Sequence, residues 1–332
     1  MPEPVTLGDI IRAGQRLGAH LGPTPLEAAP KLGENAWLKL ENANKTHSFK
    51  IRGALNAILS LDETARAKGI IAASSGNHAG AVAYAADLAD ASARILMPLN
   101  TPEKKIDNVR RYGAEAILFG DNYDQAEAEA LRMAAGGGTW VSPYNDAKVI
   151  AGAGTIGLEV VAQLPDVERV VVPVSGGGLI AGVATAVKGM NPEIKVIGVN
   201  AASAPAMYNH FYGSDKPQVW ETLAEALSGE IEAGSITVPI ARRLVDDMAL
   251  VTERQIADAM RYMIEAQGWV VEGGGAVGVA ALLHDVLPRD GAVTAVLVSG
   301  GNVDGDVLRR VLCSSGSGPK LHKKAPIEEA GV

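Results

Sequence analysis

The sequence is poor in cysteine, in basic charge and in long apolar runs, and each shortage closes off a class of function. A single cysteine, Cys313, excludes an intramolecular disulfide framework and a metal site built on several thiolates. That usage fits a reducing cytoplasm. Acidic residues outnumber basic ones, and the net charge of -8 argues against nucleic acid or an anionic membrane as a partner. No run of about 18 apolar residues is present to span a bilayer. The first residues, Met1-Pro2-Glu3-Pro4-Val5-Thr6, show no basic segment followed by an apolar core, so no secretory signal is expected. What remains is a chain of 332 residues, 47% hydrophobic and with 38 glycines, ample for two domains with cores of their own.

Strand-like and helix-like runs alternate from residue 69 onward. Strands are predicted over 69–74, 93–98, 114–119 and 139–142, with helices over 78–89, 102–112 and 123–135. Pro102 suits a first helical turn, and Gly113 suits a stop. Further strands are predicted over 37–40, 169–174, 195–199 and 292–298. The run Arg169-Val170-Val171-Val172-Pro173-Val174 has the continuous apolar character of a strand buried on both faces. Strands and helices in this rhythm predict parallel sheets with crossover helices. The expected division is a large domain from 1–68 plus 146–313, a small α/β domain inserted over 69–145, and a flexible tail over 314–332.

Four segments have the residue types of a reaction site. In Ser48-Phe49-Lys50-Ile51-Arg52-Gly53-Ala54, the lysine falls at a helix start, where the macrodipole disfavours its ammonium form. Burial pushes the same way, and a neutral lysine can form a Schiff base with an aldehyde. Ser74-Ser75-Gly76-Asn77-His78 lies where a strand meets a helix, a place where backbone N–H groups and hydroxyls suit a carboxylate. Taken alone, it reads equally well as an ordinary capped helix. Val174-Ser175-Gly176-Gly177-Gly178-Leu179 also joins a strand to a helix, and its glycines let the backbone approach a phosphate. It is neither a Walker loop nor the Gly-x-Gly-x-x-Gly of dinucleotide binders. Val298-Ser299-Gly300-Gly301-Asn302 ends the last strong strand, with Ser299 at its tip.

Taken in order, these four segments resemble the fold type II pyridoxal-phosphate enzymes, the group that includes the tryptophan synthase β-chain. Within that group the chain is similar to the serine/threonine dehydratase (threonine ammonia-lyase) and serine racemase family. The resemblance runs from about Leu26-Glu27 to Val311. It implies two open parallel-sheet α/β domains with pyridoxal 5'-phosphate in the cleft between them. It also implies that Lys50 carries the cofactor and moves the Cα proton, with Phe49 beside it. Asn77 then meets the cofactor's 3-hydroxyl. Ser175, Gly176, Gly177, Gly178 and Leu179 hold the phosphate, Ser299 meets the ring nitrogen, and Glu272 lies near the ring. Ser74, Ser75, Gly76 and His78 hold the substrate carboxylate, and Ser75 matches a position that can act as a base on the opposite face. Gly-Asn-His, where related cysteine synthases have Gly-Asn-Thr, speaks for elimination over β-replacement. A neutral hydroxyl at the ring nitrogen makes a weaker electron sink than a carboxylate partner, which favours expulsion of a β-hydroxyl.

Several positions depart from the family's pattern. Ser175 replaces a usual glycine, and His47 stands where a small residue is common. Gly80 replaces a frequent glutamine, and Thr222-Leu223-Ala224-Glu225-Ala226 replaces Thr-Ile-Ala-Asp-Gly. Asn200 and Ala206 stand where acidic metal ligands are usual, so no metal is expected. His47 is expected to tune the cofactor phosphate, with an exposed turn histidine as the plainer reading. The expected reaction is elimination from a β-hydroxy amino acid, L-threonine or L-serine by default or a bulkier one such as phenylserine, giving a 2-oxo acid and ammonia. The alternatives are a racemase and a non-catalytic amino-acid-binding protein. A catabolic, cytoplasmic homodimer without a regulatory domain is expected.

Overall fold

The computed structural model describes residues 5–313, so the tail predicted over 314–332 lies outside the described residues. Its strands are β1 (Leu26–Ala28), β2 (Ala36–Leu40), β3 (Ile70–Ala73), β4 (Ala93–Met97) and β5 (Glu115–Leu118). There follow β6 (Thr139–Trp140), β7 (Arg169–Pro173), β8 (Lys195–Ala201), β9 (Asp247–Val251) and β10 (Thr294–Val298). The helices of the first half are α1 (Leu7–Leu17), α2 (Lys50–Leu59), α3 (Glu63–Ala67), α4 (Asn77–Leu88), α5 (Glu103–Arg110) and α6 (Tyr123–Ala135). Those of the second half are α7 (Ala147–Gln163), α8 (Gly178–Met190), α9 (Ala206–Tyr212) and α10 (Thr237–Leu244). The last are α11 (Glu253–Gln267), α12 (Gly273–Leu283) and α13 (Gly305–Cys313).

Two sheets form. The larger has the order β1-β2-β10-β7-β8-β9, parallel except for β1 at its edge, and the smaller has the order β5-β4-β3-β6. Every pairing in the smaller sheet is parallel. The central strands β3, β7 and β10 are buried along their whole length, as their unbroken apolar runs require. Each sheet reverses its winding once. In the larger sheet the reversal falls between β7 and β10, and in the smaller between β3 and β6. Ligands of open parallel sheets bind at the carboxyl ends of strands where the winding reverses. The loops after β3, β6, β7 and β10 are therefore the ones placed to build a site.

Helix α2 ties the two sheets together. Its Ile51, Ala54, Leu55 and Ile58 enter one apolar cluster with Ile70 and Ala72 of β3 and Val82 of α4. The sequence groups α2 with the larger sheet. Its periodicity shows an apolar face but not which sheet that face meets. On its other side, Gly53 lies so close to α7 that a Cβ there would stand 2.8 Å from Val149 Cγ1. Arg52 fixes the start of the helix. Its guanidinium, 2% exposed, donates to Glu41 Oε2 at 2.7 Å and to Glu159 Oε1 at 2.5 Å, and Lys39 joins the same Glu159 at 2.6 Å. Two buried cations thus share two carboxylates beneath Lys50, fully paired as burial demands.

Candidate active site

The four expected loops converge. Lys50 opens α2, and its backbone N–H donates to Ser48 Oγ at 3.1 Å. Ser48 pairs with Gly300 in an isolated antiparallel bridge, and the Phe49 N–H donates to the Ser299 carbonyl at 3.0 Å. The lysine segment is therefore stitched to the loop after β10. Lys50 Nζ donates to the Pro143 carbonyl at 2.7 Å and stands 5.2 Å from the centre of the Phe49 ring. Burial pushes the Lys50 ammonium down to about 8, while the negative charge of Glu272 opposes the shift. A lysine with that value is partly neutral near neutrality and can act as a nucleophile.

The glycine run joins a strand to a helix. β7 ends at Pro173, and Gly177, with φ +88°, turns the chain into α8. The first-turn N–H groups of a helix have no carbonyl within the helix to bond, and the dipole there favours an anion. Side chains are excluded from this turn. A Cβ on Gly176 would stand 2.7 Å from the Tyr144 ring, and one on Gly178 2.9 Å from the Tyr144 carbonyl. Thr237 Oγ1 donates to the Gly176 carbonyl at 2.7 Å and locks the turn from behind. Ser175 is partly exposed at the mouth of the cup, and Leu179 is buried in the core behind it.

Across the cleft, Asn77 begins α4 and makes a polar bridge between the sheets. Its Nδ2 donates to Glu272 Oε1 at 2.7 Å, and its Oδ1 accepts from Asn302 Nδ2 at 2.8 Å. Asn302 also donates to the Thr46 carbonyl at 2.9 Å. Glu272 occupies the N-cap position of α12, with its carboxylate turned to Asn77, and is 9% exposed. Burial pushes its carboxyl up to about 7, against the pull of the Asn77 hydrogen bond and of Lys105. Ser299, 5% exposed, follows β10 at the back of this bridge. Ser74 and Ser75 are partly exposed in the loop after β3, Ser74 Oγ accepts from the Gly76 N–H at 3.1 Å, and Gly76 is exposed.

Two expected residues sit differently. His78 does not face the cleft as a charged partner for a carboxylate. It is 3% exposed, its Nε2 lies 3.0 Å from the Val141 carbonyl, and burial together with the Lys50 charge holds the ring down to about 3. A neutral buried ring offers a carboxylate no positive charge. His47 is exposed with φ +54°, in the left-handed region that favours glycine. Among the described residues no hydrogen bond or ion pair involves its ring, so no contact supports the tuning role.

Pro143, Tyr144 and Thr237 belong to the site and escape a reading of the sequence, which names Asn302 only as part of the loop after β10. Ser142-Pro143-Tyr144-Asn145 follows a predicted strand, so its place at a carboxyl-end loop was the available signal. Thr237 gives no local signal.

A lysine amine of lowered basicity on the Pro143 carbonyl, next in sequence to the Tyr144 that packs on a glycine turn at a helix start, is the equipment of an enzyme that holds a phosphorylated aldehyde. Residues 17–300 match the family described as "Pyridoxal-phosphate dependent enzyme", and the chain belongs to that family. It is 44% identical over 315 residues to an L-threonine ammonia-lyase of Thermotoga maritima, covering 93% of this chain and 78% of that protein. It is 39% identical over 310 residues to the catabolic L-threonine dehydratase of Escherichia coli, covering 91% of this chain and 94% of that one. Maize serine racemase superposes with a TM-score of 0.87 at 34% identity, covering 93% and 97% of the two chains. The architecture is the type II fold of pyridoxal-phosphate enzymes. The residues present fit that cofactor: Lys50 is brought to about 8, and the Gly176–Gly178 turn, with no room for side chains, opens α8, whose first N–H groups have no partner within the helix.

Proposed function

We propose that the protein is an ammonia-lyase acting on a β-hydroxy amino acid, L-threonine or L-serine, and releasing a 2-oxo acid and ammonia. The observation that supports this most is Lys50, a partly buried lysine whose amine is brought to about 8 and donates to the Pro143 carbonyl, beside the Tyr144 that packs on the glycine turn. The identity of 39% and 44% to proteins named for threonine deamination narrows the reaction within the family.

Pyridoxal phosphate, when bound, supplies an electron sink for the pair left at the substrate's Cα. The chain's own groups do the rest. The N–H groups of Gly176, Gly177 and Gly178 and the dipole of α8 hold the phosphate. One Asn77 amide hydrogen is used on Glu272, leaving the second free to donate to a ring hydroxyl. Ser299 offers a neutral hydroxyl to the ring nitrogen, with no carboxylate to protonate it. Ser74, Ser75 and Gly76 orient the substrate carboxylate. Lys50, as a neutral amine, takes the proton from Cα and passes it to the departing β-hydroxyl, which leaves as water. Water lost at Cβ is regained when the nitrogen is released, so the net products are 2-oxo acid and ammonia.

Racemisation is the second reading, favoured by Ser75, which matches a position that can act as a base on the face opposite Lys50, and by the likeness to a solved serine racemase. Among the described residues no helix is long and apolar enough to cross a membrane. The free Cys313 suits a reducing cytoplasm, and a homodimer is the assembly we expect. The domain limits are proposed as 1–68 plus 146–313 and 69–145. A panel of L-threonine, L-serine, D-serine and phenylserine, scored for 2-oxo acid and by chiral chromatography, tests the function. Release of 2-oxo acid from the L-substrates supports the lyase. Exchange of enantiomers without 2-oxo acid overturns it in favour of the racemase.

A further inference from the structure

Outside the reaction centre, charged groups of the two sheets meet at the rim of the cleft. Lys105 of α5, which belongs to the smaller sheet, places its Nζ 3.7 Å from Asp304 Oδ2 and 3.8 Å from Glu225 Oε2. Lys104 reaches only Asp304, at 4.0 Å. Both anions sit on segments that build the Asn77 bridge. Asp304 lies two residues beyond Asn302, whose amide donates to Asn77. Glu225 opens the short 225–227 helical turn that presses on the start of α12, where a Cβ on Gly274 would stand 3.2 Å from Leu227 Cγ. Glu272 stands at that same helix start.

α5 in turn packs directly against α4. A Cβ on Gly80 would stand 2.7 Å from Asn108 Nδ2, so the Asn108 side chain of α5 lies over the bare backbone of α4 at residue 80. A pull on Lys105 is thereby passed to α4, whose first residue is Asn77.

We propose that Lys105 is a positioning residue for the reaction: it spans the cleft to Asp304 and Glu225, holds α4 and its Asn77 against Glu272 and Asn302, and places a positive charge beside the Glu272 carboxyl. Four groups face that carboxyl: Asn77 from α4, Lys105 from α5, Glu225 from the 225–227 turn and Lys50 from α2. Burial and Glu225 favour its protonated form, and the other three favour the carboxylate. Loss of the Lys105 charge therefore leaves Glu272 protonated to higher pH and loosens the hold on Asn77. An exposed ion pair contributes little to stability, so the effect falls on the site rather than on folding. The kinetic readout of this proposal rests on the lyase reading, whereas its titration readout does not.

The test compares holoenzymes of the wild type, Lys105→Met, Lys105→Arg and Lys104→Met. The Glu272 carboxyl is followed by carbon NMR of glutamate-labelled protein, assigned by its absence in Glu272→Gln. Hydrogen exchange of the 74–80 segment and the pH dependence of kcat and KM are measured alongside. Lys105→Met should raise the Glu272 midpoint by about half a pH unit or more, as expected for removal of one nearby charge. It should also speed exchange over 74–80, move the acid limb of kcat/KM upward and raise KM, while Lys105→Arg restores all four and Lys104→Met changes none. An unchanged midpoint and unchanged exchange in Lys105→Met overturn the proposal, as does an equal response to Lys104→Met. If the wild type turns over no β-hydroxy amino acid, the lyase reading fails, and the titration and exchange still decide the role of Lys105.

Discussion

His78 Nε2 lies 3.0 Å from the Val141 carbonyl oxygen, which makes that nitrogen the donor and leaves Nδ1 buried without a partner. The ring is neutral when folded, held down to about 3 from an ordinary 6.5. As pH falls below 6.5 the unfolded chain gains a proton that the folded chain refuses. Stability is therefore full above about 6.5 and is lost progressively towards about 3. His78→Gln keeps a donor for Val141 but does not titrate. Its Tm should fall less than that of the wild type between pH 7.5 and pH 5 (roughly one unit either side of the free imidazole value). Parallel Tm curves would show that His78 is not the neutral buried group described.

Arg52 is the mainstay of the Lys50 helix. Replacing it with glutamine leaves Glu41, which is fully buried, without its cation. Breaking such a pair costs about 3–5 kcal/mol. Urea denaturation should show a loss of that order, and a loss below about 1 kcal/mol would mean that the pair is no stronger than one at the surface.

Asn200 replaces a usual acidic ligand with an amide whose Nδ2 donates to the Val174 and Ala204 carbonyls, at 3.0 and 3.1 Å. Asn200→Asp removes both donors and faces two carbonyls with a carboxylate. It should lower stability by about 2–5 kcal/mol, and magnesium or calcium should recover part of that loss, because three oxygens then converge on one point. The wild-type enzyme should keep its activity after dialysis against a chelator. Activity lost to chelator and restored by magnesium would contradict this account of Asn200.

His47 occupies a left-handed backbone position, and a residue with a Cβ is strained there by about 1 kcal/mol. His47→Gly should therefore raise Tm modestly and leave the pH dependence of kcat unchanged. A shifted profile would return His47 to the site as a tuning group.

The sequence states the strand–helix alternation in its apolar runs, and the predicted 123–135 helix coincides with α6 to the residue. β1 and β9 are missed. The first spans only 3 residues, and the second is the edge strand Asp247–Val251, with one exposed and two part-buried positions in place of a continuous apolar run. Lys50, the glycine turn and the loops after β3 and β10 are legible because local motifs carry them. Their partners are not. Pro143 offers a carbonyl, which any residue has, and Thr237 meets Gly176 from 61 positions away. His78 shows the limit from the other side: the motif names the residue, but only packing shows that it is buried and uncharged.

The central claim is that Lys50 performs the elimination. The most direct measurement is simultaneous release of 2-oxo acid and ammonia from L-threonine and L-serine, by the wild-type holoenzyme and by Lys50→Ala saturated with pyridoxal phosphate. The account predicts equal amounts of both products from the wild type. It predicts a loss of at least about 1,000-fold in the variant, which still binds the cofactor through the Gly176–Gly178 turn. Turnover by Lys50→Ala near the wild-type rate without added amine, or ammonia released without 2-oxo acid, would contradict it.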